Sequence, residues 1–181
     1  VSDWSRRARR IRVPLSFAFA AVYLWLARPL WTSMIAGGAI ALAGLALRAA
    51  ASGYVRKDRE LTTTGPYAYT RNPLYLGSIL MGAGFAVAAR SWCVVAGLAA
   101  LFTLVYMPVI RAEERFLRSQ FPGYDEYARR VPRFGVAWGH KTSAFGAFSR
   151  ELYWKHREYN AFIGVILMMA ALAAKLWWRL H

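Results

Sequence analysis

The sequence predicts an all-α integral membrane protein of about five transmembrane helices, and three observations carry that reading. Five apolar runs punctuate the chain, each near the roughly 20 residues that a bilayer core requires. Hydrophobic residues make up 57% of the 181, yet the net charge is +15. A soluble fold this apolar would struggle to keep its surface wet. The Lys and Arg residues are also segregated between the apolar runs, an arrangement that a nucleic-acid-binding protein would not show.

The runs are about Val13–Ala27, Leu30–Ala51, Leu74–Ala89, Trp92–Ile110 and Ala161–Trp178. With this length they form a single domain, 1–181. The first and third are short and need aromatic or arginine ends at the interface. Val13–Ala27 does not read as a signal peptide: no small-residue cleavage site follows it, and Arg28-Pro29 leads straight into the next run. The lone Cys93 lies in an apolar run and is expected to be a buried, inert thiol. There is no disulfide framework and no metal-ligand cluster.

Counting Lys and Arg, the N-terminal arm, the stretch Arg48 to Arg71 and the stretch Arg111 to Arg157 together hold 20. The opposite side holds 4, namely Arg28, Arg90, Lys175 and Arg179. The positive-inside rule then puts the N-terminus in the cytoplasm and any chemistry at the cytoplasmic face. All nine acidic residues fall on that side. The arginines from Ser5 to Arg12 read as an orientation signal and an anionic-lipid contact.

In order, the first hairpin reads as scaffold. Its second helix carries Gly37, Gly38, Ala41 and Gly44, small residues that let backbones approach closely. Arg56 to Thr64 is a polar approach, with Leu61-Thr62-Thr63-Thr64 open to an extended conformation. Gly65-Pro66 is a turn signal, and Pro73 biases Asn72 out of the α region while suiting the first turn of a helix. Gly77 lies one turn in, where a ligand or a neighbouring helix can come close. Pro108 should kink the fourth span just before Arg111, Glu113 and Glu114. Phe121-Pro122-Gly123 reads as a turn, Asp125 to Arg130 as a short amphipathic helix, and Trp138 to Ser149 as an interfacial loop. Arg157, Glu158 and Asn160 stand where the fifth span enters the bilayer, and ionisable groups there are functional candidates. His156 beside them reads as a solvated interfacial residue.

Two stretches carry a resemblance. The first is Gly65-Pro66-Tyr67-Ala68-Tyr69-Thr70-Arg71-Asn72-Pro73-Leu74-Tyr75-Leu76-Gly77. The second begins Glu113-Glu114-Arg115-Phe116-Leu117 and continues through Phe121-Pro122-Gly123-Tyr124-Asp125-Glu126-Tyr127 to Val131-Pro132-Arg133-Phe134. In this order, with an apolar hairpin between them, they resemble the isoprenylcysteine carboxyl methyltransferase and phospholipid methyltransferase group of integral membrane enzymes. The family often has His where this chain has Asn72, and some relatives stop before the last apolar helix.

The resemblance implies an S-adenosylmethionine-dependent methyltransferase with a cytoplasmic-face cofactor site. It points to Tyr67, Arg71, Asn72, Tyr75, Leu76, Gly77, Glu113 and Glu114 as cofactor-binding. Tyrosine faces suit the adenine, Arg71 and Asn72 are donors, and Glu114 is an acceptor for ammonium or ribose hydroxyls. Arg157, Glu158 and Asn160 are the catalytic candidates: Glu158 as proton acceptor, or Arg157 as the group that holds an acidic acceptor. The expected partners are membrane lipids and an apolar or lipid-like acceptor such as an isoprenylcysteine carboxylate. The expected location is a bacterial inner membrane. No nucleic acid or metal is expected, and oligomeric state is not readable. A sterol-reductase-like, NADPH-dependent enzyme is the nearest rival, with an Arg-His-Pro-Asn-Tyr pattern that Asn72 and Leu74 break. A non-catalytic membrane scaffold or lipid-binding protein is the other alternative.

Overall fold

A computed structural model describes residues 18–55, 60–137 and 148–181. Its described elements are helical, with no strand among them. A helical segment over residues 18–26 (α1) precedes α2, Trp31–Ser52. A short 3-10 turn, Gly65–Ala68, leads to α3, Pro73–Ala89. Then come α4, Trp92–Leu101, a π-helical turn, Phe102–Tyr106, and α5, Met107–Gln120. Two short helices, α6 (Tyr124–Arg130) and α7 (Arg150–Lys155), precede α8, Tyr159–Leu180.

Among the described residues three helices are long and apolar enough to cross a membrane: Trp31–Ser52, the continuous Trp92–Gln120, and Tyr159–Leu180. These match three of the five expected spans. Helix α3 has 17 residues, and only nine residues of the first run are described as helix, residues 13–17 lying outside the described set. The arginine arm, residues 56–59 and most of the Trp138–Ser149 loop lie outside it too. Leu61–Thr63 has no regular structure.

Helix Trp92–Gln120 has 29 residues. At about 1.5 Å per residue it is roughly 43 Å long, well beyond a hydrocarbon core of about 30 Å. Its last third, which carries Arg111, Glu113, Glu114, Arg115 and Arg118, thus stands clear of the apolar layer. Pro108 is accommodated by the π turn. Its ring would clash with the carbonyl four residues back in a regular helix. Instead the preceding ladder is loosened, and the Met107 N–H donates to the Phe102 carbonyl, five residues back.

Helices α2 and α3 pack antiparallel at backbone contact. A Cβ at Gly37 would fall 2.3 Å from the Gly84 carbonyl oxygen, and one at Gly44 2.5 Å from that of Gly77. Only glycine fits at these four positions. Away from the polar segments, Tyr23, Met34, Ala88, Val94, Leu172 and Leu176 form a buried core that joins α1 to α4 and α8. Lys175 closes that end by donating to the backbone carbonyls of Leu24 and Trp25. Cys93 corrects the expectation of burial. It is exposed, because the start of α4 turns that face away from the core.

Gly84→Val is expected to destabilise the fold by about 1–3 kcal/mol or more through overpacking. Gly82→Ala, whose Cβ would meet only Leu98 at 3.6 Å, is expected to be neutral or stabilising. Thermal unfolding of the two variants in detergent separates them.

Candidate functional site

The first motif stretch is shaped by its glycine and prolines. Gly65 sits at φ +60, with the Tyr54 ring where a side chain would go, and Pro66 starts the 3-10 turn. Asn72 leaves the helical region just before Pro73 opens α3. The segment is then stitched to the stretch that runs from Tyr127 to Ala137. The Arg71 N–H donates to the Pro132 carbonyl (2.9 Å), the Ala137 N–H to the Tyr69 carbonyl (2.8 Å), and the Tyr127 hydroxyl to the Tyr67 carbonyl (2.7 Å).

Glu114 sits at the centre of this join and is 7% exposed. Arg133 donates to both of its oxygens, through Nε at 3.0 Å and Nη2 at 2.6 Å. Asn72 Nδ2 donates to Oε1 at 3.1 Å, and Arg71 lies 3.8 Å away. Burial pushes the Glu114 carboxyl up. The hydrogen bond from Arg133, the charge of Arg71 and the bond from Asn72 outweigh it and hold the group below the usual carboxylate range. Nearby, burial pushes the Tyr67 and Tyr127 phenols well above their ordinary value, so both stay protonated donors.

A second ion pair lies where α2 meets the start of α8. Arg48 donates from Nη2 to both oxygens of Glu158 (2.9 Å each) and from Nε to Oε2 (3.1 Å). Its Nη1 reaches the Ser78 hydroxyl (2.5 Å) and the Leu74 carbonyl (3.2 Å) of α3. A charge here, four residues inside the end of α2, is tolerable because Glu158 neutralises it and the carbonyl and hydroxyl take its other donors. Arg157, the residue before Glu158, is in the left-handed region at φ 53. For a non-glycine residue this conformation is strained, and it is held here by the turn between α7 and α8.

Between these two ion pairs is a cavity of about 610 Å³. Its walls bring together Tyr67, Arg71, Asn72, Tyr75, Glu113, Glu114, Arg157, Glu158 and Asn160. Leu76 and Gly77 do not line it. Gly77 instead faces Gly44 and Arg48 of α2, so of its two readings the structure favours helix packing. The cavity also takes residues to which the sequence attached no role: Arg48, Ser78, Tyr106, Tyr127 and His156. Tyr106 stands edge-on to Tyr75 (6.1 Å) and stacks with Phe102 (6.2 Å), which meets Phe134 at 5.7 Å. The available signal for Arg48 was its isolation, as the one cation inside an otherwise apolar hairpin.

Such a cavity offers aromatic faces, fixed cations and carboxylates at the edge of an apolar layer. Its volume suits a nucleotide-sized ligand. Among the described residues no group of three or more His, Cys, Asp or Glu side chains could hold a metal ion.

Residues 50–123 match the family model described as phospholipid methyltransferase. Over 79 residues the chain is 48% identical to the cobalt-zinc-cadmium resistance protein CzcN of Cupriavidus metallidurans. Over the same length it is 44% identical to the nickel-cobalt-cadmium resistance protein NccN of Alcaligenes xylosoxydans xylosoxydans. Each match covers 44% of this chain and 37% of the relative, so the shared stretch spans little more than a third of either relative's length. No solved structure matches the chain.

Two outcomes are expected from the ion pairs. Arg48→Met should cost about 3 kcal/mol by stranding a buried Glu158, and adding Glu158→Leu should recover part of that loss in thermal unfolding. The Glu114 carboxyl, lowered in the folded state, contributes stability that is present at neutral pH and lost as pH falls through its folded-state pKa. The melting temperature of Glu114→Gln should therefore start lower at pH 7 and fall less on acidification than that of the parent chain.

Proposed function

The chain carries a phospholipid methyltransferase segment at residues 50–123, and on that premise we propose that its cavity binds S-adenosylmethionine and serves methyl transfer to an apolar or lipid-like acceptor. One observation carries this reading. The Gly65–Asn72 turn, the start of α3 and the Glu113-Glu114 pair, far apart in sequence, face one cavity at the edge of an apolar layer.

The residues present fit such a cofactor. Tyr67, Tyr75 and Tyr106 offer faces for an adenine, Arg71 a cation for a carboxylate, and Glu113 an exposed carboxylate for an ammonium group. When bound, the cofactor supplies an electrophilic methyl group on a sulfonium centre. The chain's share is to align the acceptor atom with that methyl group and to exclude water. Glu114, with its oxygens engaged by Arg133 and Asn72, acts by fixing the orientation of the Arg71 and Asn72 side chains. Arg157 and Asn160, at the entry of α8, stand on the side from which an apolar acceptor would approach within the bilayer.

With three of its described helices able to cross a membrane, the chain is an integral membrane protein. In the sequence the N-terminal arm and the stretches Arg48 to Arg71 and Arg111 to Arg157 hold 20 Lys and Arg against 4 elsewhere, which supports a cytoplasmic N-terminus and site, in a bacterial inner membrane. The curated relatives are named for metal resistance. Any share this chain has in such resistance is read as working through its methylated product rather than through a metal ion held by the described residues.

Calorimetric titration of detergent-purified protein with S-adenosylmethionine tests the reading. Binding on the order of micromolar is expected, weakened at least about tenfold, or ~1.4 kcal/mol, by Tyr75→Ala and by Arg71→Ala. Folded protein that does not bind it, or that binds NADPH instead, would overturn the proposal.

A further inference from the structure

His156 reads in the sequence as a solvated residue at the membrane surface, but the structure puts it on the cavity wall, half-buried between α7 and α8. Its Nδ1 lies 3.2 Å from the backbone carbonyl oxygen of Ser52 at the end of α2. A carbonyl can only accept, so the neutral ring carries its proton on Nδ1, and Nε2 keeps the lone pair. The contact is well supported: Ser52 is fully buried, the Ser149 N–H donates to the Gly53 carbonyl at 2.9 Å, and the His156 N–H closes α7 on Leu152 at 2.9 Å. The imidazole is thus held by one nitrogen, and among the described residues none makes a hydrogen bond to the other.

The cavity's two most buried carboxylates are engaged. Glu158 is gripped by Arg48, and Glu114 by Arg133 and Asn72. The oxygens of each already accept from fixed donors, which leaves neither well placed to take a proton from an incoming acceptor. The sequence had offered Glu158 for that task, and its pairing with Arg48 argues for another group.

We propose that His156 Nε2 is the proton acceptor of this site, and that the methyl acceptor is an apolar molecule with a proton-bearing nucleophile, a thiol, hydroxyl or amine, rather than a carboxylate. The inference rests on the methyl-transfer reading above. In the step, the acceptor's X–H bond breaks and its proton passes to Nε2. The acceptor atom forms a bond to the methyl carbon as the sulfur–methyl bond breaks, its electron pair remaining on sulfur. The positive charge leaves the sulfonium and reappears on the imidazolium, which returns its proton to water. A carboxylate, already ionised at neutral pH, would need no such base.

The test uses full-length protein in detergent with labelled S-adenosylmethionine and three probes: 1-decanethiol, decylamine and decanoic acid. Methyl transfer to the thiol or the amine is expected, with loss of at least about a hundredfold in His156→Ala and His156→Gln. Cofactor affinity should be unchanged, and added imidazole should restore part of the rate in His156→Ala. Independently of turnover, nitrogen-15 spectra of histidine-labelled protein should show the Nδ1–H tautomer for the signal that His156→Gln removes. The proposal is overturned by an Nε2–H tautomer, by transfer to decanoic acid alone, or by variants as active as the parent chain. It is equally overturned if protein that binds the cofactor methylates neither the thiol nor the amine. Failure to bind the cofactor at all would instead count against the methyl-transfer reading.

Discussion

The buried charge of Glu114 can exist only because three donors reach it from separate parts of the chain. Arg133 arrives from the stretch after α6, and Asn72 and Arg71 from the turn before α3, while Glu114 itself is carried on α5. An ionised carboxylate with so little exposure to water would be strongly destabilising without them. The need to satisfy this one group therefore fixes how the Gly65–Asn72 turn meets the end of the long helix. The backbone bonds from Arg71 to Pro132 and from Ala137 to Tyr69 follow that meeting and reinforce it. The cavity is the space left between this junction and the second ion pair, Arg48 with Glu158.

The two ion pairs solve different problems. Glu114 joins polar segments that lie clear of the apolar layer, where water is near. Arg48 comes from within an apolar helix, and its partner is supplied by α8, 110 residues later in the chain. Because Arg48 also reaches Ser78 and the Leu74 carbonyl, one guanidinium links α2, α3 and the entry of α8. The close glycine contacts of α2 with α3 bring Leu74 and Ser78 within its reach.

Local patterns in the sequence foretold much of this. Four of the five apolar runs correspond closely to helices, the turn at Gly65-Pro66 and the short helix after Gly123 are present, and most of the residues singled out line one cavity. These features depend on nearby residues: periodicity, proline geometry and the spacing of motif positions. What was not legible depends on pairing across distance. Nothing near Arg48 names Glu158 as its partner, and nothing near His156 shows that a carbonyl of α2 will hold its Nδ1. Gly77 shows the same limit, since a glycine chosen for a ligand and one chosen for a neighbouring helix look alike until the neighbour is known. The number of spans is a simpler case: hydropathy gives the apolar length of α3, 17 residues, but no rule for whether that length reaches across, and three of the five expected spans are matched among the described residues.

The π turn at Phe102–Tyr106 has an architectural consequence. It inserts one residue beyond the regular repeat, and each residue of an α-helix advances the facing direction by about 100°. The apolar and charged halves of the Trp92–Gln120 helix are thereby indexed separately. A lineage could change which face α4 shows to lipid, by gaining or losing that surplus residue, while Glu114 stays docked on Arg133. The long helix behaves as two modules on a common axis, with the bilayer selecting the sequence of one and the cavity that of the other.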